Sequence, residues 1–155
     1  MKHSYKIKVE WVGNQGLGTV NYNAYNRNYL ITSDEKQEAI KGSSDSAFLG
    51  DQKRYNPEEL FLSSISACHM LWYLHLCAVH QIIVTAYSDY ASGIMEETID
   101  GSGRFISVTL HPSVKVADAE MIEKANELHD LAHKMCFIAN SCNFKISHVP
   151  IATCT

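Results

Sequence analysis

Between Leu60 and Val84 the chain runs for 25 residues without an Asp, Glu, Lys or Arg. A stretch of that length is long enough to cross a bilayer, for which about 20 apolar residues suffice, so any fold for this chain has to supply what surrounds it. The stretch contains Ser63, Ser64, Ser66, His69, His75, His80 and Gln81 and lacks flanking aromatic and basic anchors, which favours burial in protein over lipid. Just before it, Asn56-Pro57-Glu58-Glu59 writes a helix start: an N-cap, a proline at the first helical position, and acids that complement the free amides and the helix dipole. The segment predicts a helix of about 24 residues, roughly 36 Å long, buried on nearly every side. In a small chain such a helix needs sheet on more than one side, or a second subunit.

The remaining sequence supplies sheet. Tyr5 to Val12 alternates apolar and polar, and the cluster Gly13 to Gly18 offers turn residues, predicting a hairpin with a return strand at Thr19 to Tyr25 and a third strand at Asn28 to Thr32. Residues 33–55 are polar, rich in Gly, Ser and Asp, and read as a long loop. Further strands are expected at Ile82 to Tyr90, continuing to Glu97, and at Arg104 to Val114, joined by the turn Asp100-Gly101-Ser102-Gly103. Asp118 is placed to cap a second helix, with Ala119, Ile122, Ala125, Leu128, Leu131 and Ala132 at helical spacing, and a last strand runs from Phe144 to Ile151. The order β-β-β-α-β-β-α-β is that of an α+β fold, without the alternating βαβ units of a nucleotide-binding sheet.

At 155 residues and 46% apolar composition, one globular domain spanning 1–155 is expected, large enough to fold around its own core. A formal net charge of −4, from 13 basic and 17 acidic residues with no basic run, excludes a protein that lives on phosphate contacts, so no nucleic-acid partner is expected. Met1 to Glu10 offers no apolar signal core, and a cytoplasmic location follows. Five cysteines, Cys68, Cys77, Cys136, Cys142 and Cys154, form no CxxC and cannot all pair within the chain, which suits a reducing compartment. Cys68 and Cys77 are nine residues apart on the predicted long helix, on opposite faces and about 13 Å apart along its axis, so they cannot bond to each other. Cys136 ends the second helix, so Cys68 and Cys136 are the pair from two helices able to meet in the core. Cys142 borders a strand, and Cys154 falls in a tail expected to fray. Each of the five also reads as a small buried hydrophobe.

The segment Tyr55-Asn56-Pro57-Glu58-Glu59-Leu60-Phe61-Leu62-Ser63-Ser64-Ile65-Ser66-Ala67-Cys68-His69 resembles the signature of the OsmC/Ohr family of osmotically inducible and organic-hydroperoxide-resistance proteins, in which N-P-E-x-L precedes A-C by a fixed interval. The resemblance extends along the chain, from Gly18-Thr19-Val20 to the second cysteine and the final strand. It implies an intertwined homodimer whose sheets wrap two central helices, and thiol peroxidase chemistry without a cofactor. By that resemblance Cys68 matches the cysteine that attacks an organic hydroperoxide, and Cys136 the one that resolves the sulfenic acid as a disulfide for an external dithiol, of dihydrolipoyl type, to reduce. Glu58 matches the family's glutamate, which positions an arginine over the thiolate. Arg27 and Arg54 both qualify as that arginine, Arg27 being preferred as a strand-end residue. Glu58 lies ten residues from Cys68, about 15 Å along a straight helix, so a helix break is expected within Ser63 to Ser66.

Departures from the family pattern are local. Cys136 is followed by Phe137-Ile138-Ala139-Asn140 where the family commonly has proline and a small polar residue, and His69, Trp72, Tyr73 and His75 replace a more aliphatic helix. Trp72 stands one turn from Cys68, where it narrows a pocket in a way that suits flat or aryl hydroperoxides, or serves simply as core. Two other readings of the same residues stand beside the peroxidase. One is a non-enzymatic dimer binding a small apolar ligand. The other is a metal-binding protein using His129, His133 and Cys136, which fall at i, i+4 and i+7 on one helical face, with His69 or His75 as a fourth ligand.

Overall fold

The computed structural model describes residues 1–154, arranged as two compact units, residues 1–60 and residues 61 onward. The first unit is built on an antiparallel sheet of β1 (Lys8–Trp11), β2 (Tyr29–Thr32) and β3 (Ile40–Gly42), in that order. Its hairpin differs from the expected one. Thr19 to Tyr25 forms no strand, and β1 pairs instead with β2, Trp11 opposite Tyr29. The alternation through Val20, Tyr22 and Ala24 loses to local asparagine chemistry: the Asn14 side-chain oxygen accepts the amides of Gly16 and Gly18, and that of Asn21 accepts the Asn23 amide. Such bonds offer the backbone an alternative to a sheet ladder. β3 forms inside the stretch expected to be a loop, and Gly42 is required there because a Cβ would meet the Tyr29 ring at 2.1 Å.

The helix start is a reciprocal cap. The Glu59 amide donates to Asn56 Oδ1 at 2.8 Å, and the Asn56 amide donates to Glu59 Oε2 at 3.0 Å, satisfying two otherwise free donors. From there α1 (Pro57–Val79) runs unbroken for 23 residues, so the break expected at Ser63 to Ser66 is absent. The serine hydroxyls find partners without opening the helix: Ser64 donates to the Phe61 carbonyl, and Ser66 reaches out to Asp89 Oδ2 at 2.5 Å.

The second unit holds two three-stranded sheets. One contains β4 (Val84–Asp89), β7 (Pro112–Val116) and β9 (Ile151–Cys154), in that order; the other contains β5 (Ser92–Glu97), β6 (Gly103–Leu110) and β8 (Lys145–His148). Each of the three long strands expected from the sequence is divided between these sheets, the chain crossing at Tyr90-Ala91, at His111 and at Val149-Pro150. Two of the crossings adjoin a proline, whose missing N–H interrupts a ladder. Cys154, expected in a frayed tail, is paired in β9 opposite Val116. The turn at Asp100 to Gly103 forms as expected, with Gly101 at φ +83°. A second helix, α2 (Ile122–Met135), follows a short 3-10 turn; Asp118 precedes that turn but makes no side-chain cap bond.

α1 packs against both sheets. Ile65 is buried with Val108 and Leu110 of β6, while Tyr73, Leu76 and Cys77 are buried with Val114 and Val116 of β7 and with Ala125, Leu128 and Ala132 of α2. Each large apolar side chain so buried contributes about 1.5–3 kcal/mol. This accounts for part of the charge-free sequence. α1 is long and apolar enough to cross a membrane by length and composition, but its buried residues are core contacts, and Leu71 and Val79 on it remain 62% exposed.

Candidate functional site

Cys68 is half-buried on α1, and Cys136 is completely buried at the residue that terminates α2. Both thiols are free, and they meet. Burial, together with a hydrogen bond to Cys68, pushes the Cys136 thiol up to about 11. The Ala139 amide donates to the Cys136 sulfur at 3.4 Å, which fixes that side chain at the helix end. Cys77 lies in the core with its thiol raised by burial, and the Cys142 thiol donates to the Ile138 carbonyl at 3.2 Å.

The first unit places the other expected residues around a cavity of about 360 Å³ lined by Trp11, Tyr25, Arg27, Tyr29 and Pro57, among others. Arg27 is held firmly there. Its guanidinium lies over the rings of Tyr22 and Tyr25, at 4.2 and 4.3 Å from their centroids, and donates to the Tyr25 and Tyr22 carbonyls, both at 2.6 Å. Glu58 adjoins Pro57, and its charge, after burial, is the second cause that raises the Tyr29 hydroxyl. Among the described residues no ion pair joins Arg27 to Glu58. Arg54 does not line this cavity and pairs with Asp51 at 3.5 Å.

The histidines meet in a way their sequence spacing does not specify. His69, next to Cys68 on α1, and His129 on α2 are both buried, and His69 Nε2 lies 2.9 Å from His129 Nδ1. Their rings are within 7° of parallel with centroids 5.2 Å apart. At that nitrogen separation the rings meet edge to edge in one plane, so a single N–H donates and the other nitrogen accepts. Tyr73 stacks on His129 at 3.8 Å. His148 on β8 lies 5.6 Å from the His69 ring and 5.4 Å from that of His133, and its Nε2 bonds Asp130 at 2.9 Å. Burial, followed by the charge of His148, lowers His69 to about 4; burial, followed by His69 and His148, lowers His129 to about 3. The metal reading is corrected here: among the described residues no three His, Cys, Asp or Glu side chains are arranged to hold a metal ion, and His129 is committed to His69. The sequence offered the His129/His133 spacing on one helical face, with His69 or His75 as a partner across from it, but not the direct bond between His69 and His129.

Long helix, flanking sheets and two free cysteines brought together from two helices define a small α+β protein with a thiol pair at its centre. The OsmC-like protein family model matches residues 50–149, and the chain belongs to that family. An OsmC-like protein of Vibrio cholerae is 27% identical and superposes with a TM-score of 0.86 over 97% of this chain and 100% of its own. An organic hydroperoxide resistance protein of Elizabethkingia anophelis shares the fold at 21% identity, TM-score 0.69, over the whole of both chains. Another, from Bacillus subtilis, does so at 19% identity, TM-score 0.62, over 97% of this chain and 98% of that one. No curated protein matches this chain.

Proposed function

We propose that the protein is a cytosolic, thiol-dependent peroxidase that reduces organic hydroperoxides and works as a homodimer. The observation that carries this reading is the nearness of two free thiols from different helices, Cys68 of α1 and the buried Cys136 at the end of α2, close enough that Cys68, after burial, raises the Cys136 thiol. The Cys68 thiolate attacks the terminal peroxide oxygen. The O–O bond breaks, the sulfur loses two electrons, and the alkoxide takes a proton to leave as the alcohol. The Cys136 thiol then attacks the Cys68 sulfenic acid; an S–S bond forms and its proton departs with the hydroxyl as water. An external dithiol restores both thiols. Arg27, already fixed between two tyrosines, and Glu58 are assigned to positioning the thiolate and the peroxide. The exposed apolar residues of α1, Leu71 and Val79, support a second copy as the cover for that helix.

Peroxide consumption tests the reading. Wild type is expected to remove one equivalent of cumene hydroperoxide without reductant and to turn over with dithiothreitol, whereas Cys68→Ser removes none. Undiminished consumption by Cys68→Ser would end the proposal. Sedimentation of the purified protein at twice the chain mass is expected, and a monomer at micromolar concentration contradicts the dimer.

A further inference from the structure

The seam between α1 and α2 is apolar over much of its length, where Tyr73, Leu76 and Cys77 of α1 are buried with Ala125, Leu128 and Ala132 of α2. Beside the thiols it changes character. His69 and His129 are both buried, and His69 Nε2 and His129 Nδ1, 2.9 Å apart, join the two helices through one hydrogen bond. His69 directly follows Cys68, and Cys136 comes seven residues after His129. Seven residues are two turns, so His129 and Cys136 fall on one stripe of α2, about 10 Å apart along its axis. α2 is therefore attached at two points to consecutive residues of α1 that point about 100° apart. Tyr73 stacks on His129 at 3.8 Å and His148 lies 5.6 Å from the His69 ring, which brackets both imidazoles.

A buried imidazole pair adds little stability over apolar packing, since replacing both partners of a hydrogen bond by apolar groups of similar shape is close to neutral. What the pair supplies is direction. Apolar side chains pack at many rotations of a helix, whereas one N–H held between two nitrogens is satisfied over a narrow range of distance and angle. We propose that the His69–His129 bond is the positioning contact of the thiol pair, fixing α2 against α1 at the rotation in which Cys136 meets Cys68 and so favouring closure of the Cys68–Cys136 disulfide. The inference rests on the proposed coupling of these two cysteines and names what sets its equilibrium. Burial lowers His69 to about 4 and His129 to about 3, so the bond between neutral rings is intact at the neutral pH where thiols exchange. The better two groups are oriented beforehand, the less ordering their reaction costs. The expected size is that of one net hydrogen bond, an equilibrium factor of about two- to tenfold.

The test equilibrates the full chain with mixtures of reduced and oxidised glutathione, without peroxide. Oxidised glutathione takes the two electrons: the Cys68–Cys136 bond forms, and two molecules of reduced glutathione leave with the two thiol protons. After acid quenching, peptide mapping gives the ratio of disulfide to dithiol. His129→Leu is expected to lower the equilibrium constant for the disulfide about two- to tenfold. His129→Gln, whose amide offers both a donor and an acceptor to His69, is expected to keep most of the wild-type value. His69→Leu/His129→Leu, in which no polar group is stranded, is expected to match His129→Leu and replaces it in the comparison if the single variant does not fold. A pair with a structural role alone weakens both redox states alike, lowering the urea midpoint with the constant unmoved. That result, or an equal loss in His129→Gln, overturns the inference while leaving the peroxidase standing. If wild type forms no Cys68–Cys136 disulfide at any glutathione ratio, the coupling of the cysteines and its positioning fall together. If the disulfide forms with the expected dependence on His129 but peroxide is not consumed, the peroxidase alone falls.

Discussion

Residues 68 and 69 of α1 are neighbours in sequence, point about 100° apart, and each reaches a like partner in the second half of the chain. Cys68 meets Cys136 and His69 meets His129, so two homotypic pairs tie α1 to α2. They differ in surroundings. The histidine pair is sealed in the core, stacked on Tyr73, and burial holds both rings neutral. The thiol pair has one buried and one half-buried member and exposed rings close by. The contrast lies in rotation alone: a single residue step along one helix moves a side chain from a sealed clasp to a half-buried free thiol.

Acid is the strongest way to break the comparison, because it attacks one pair and spares the other. His69 at about 4 and His129 at about 3 lie below the ordinary 6.5, so between these values the unfolded chain binds more protons than the folded one. Stability is therefore complete above pH 6.5 and is lost as pH falls toward 4, the two rings titrating as a pair. Urea unfolding across this window is expected to show the midpoint falling with pH, and a flat profile contradicts the neutral buried pair. The Cys136 thiol, raised to about 11, stays protonated throughout.

The next largest effect is His129→Ala, which leaves His69 without its partner and opens a cavity under Tyr73. It is expected to cost about 3 kcal/mol in urea unfolding. Replacing both rings, His69→Leu with His129→Leu, is expected to cost less than the sum of the two single changes, since no polar group is then stranded. Strict additivity would show that the two rings do not act as one bond. Smallest is Cys68→Ser, expected to change stability by less than about 1 kcal/mol while abolishing peroxide consumption. A stability loss as large as that of His129→Ala would place Cys68 among the architectural residues.

Features written in short-range chemistry were legible in the sequence. The cap at Asn56 and Glu59, the long helix, the end of α2 at Cys136 and the possibility that Cys68 and Cys136 meet all follow from spacing. Where local side-chain bonding competed with pattern, the pattern misled: Asn14 and Asn21 turned a β-like stretch into loop. The break expected at Ser63 to Ser66 came from the distance between Glu58 and Cys68 that the family resemblance implies, and no residue there interrupts the helix. Strand crossings between the two sheets leave little mark beyond Pro112 and Pro150. His69 and His129 were legible only as members of a candidate ligand set; their direct bond was not, because they are 60 residues apart and no one-dimensional period connects α1 to α2. Arg27 was legible as a candidate, but its clamp depends on Tyr22, in the loop that replaced the expected strand.

The proposed chemistry requires Cys68 and Cys136 to react as a couple. Treating the reduced protein with one equivalent of cumene hydroperoxide, then digesting it under conditions that block exchange and mapping the cross-linked peptides by mass spectrometry, measures this directly. The account predicts the loss of two thiols per chain and one dominant Cys68–Cys136 disulfide, with Cys77, Cys142 and Cys154 still free. Unchanged thiols, or a disulfide that leaves out Cys68, would contradict it.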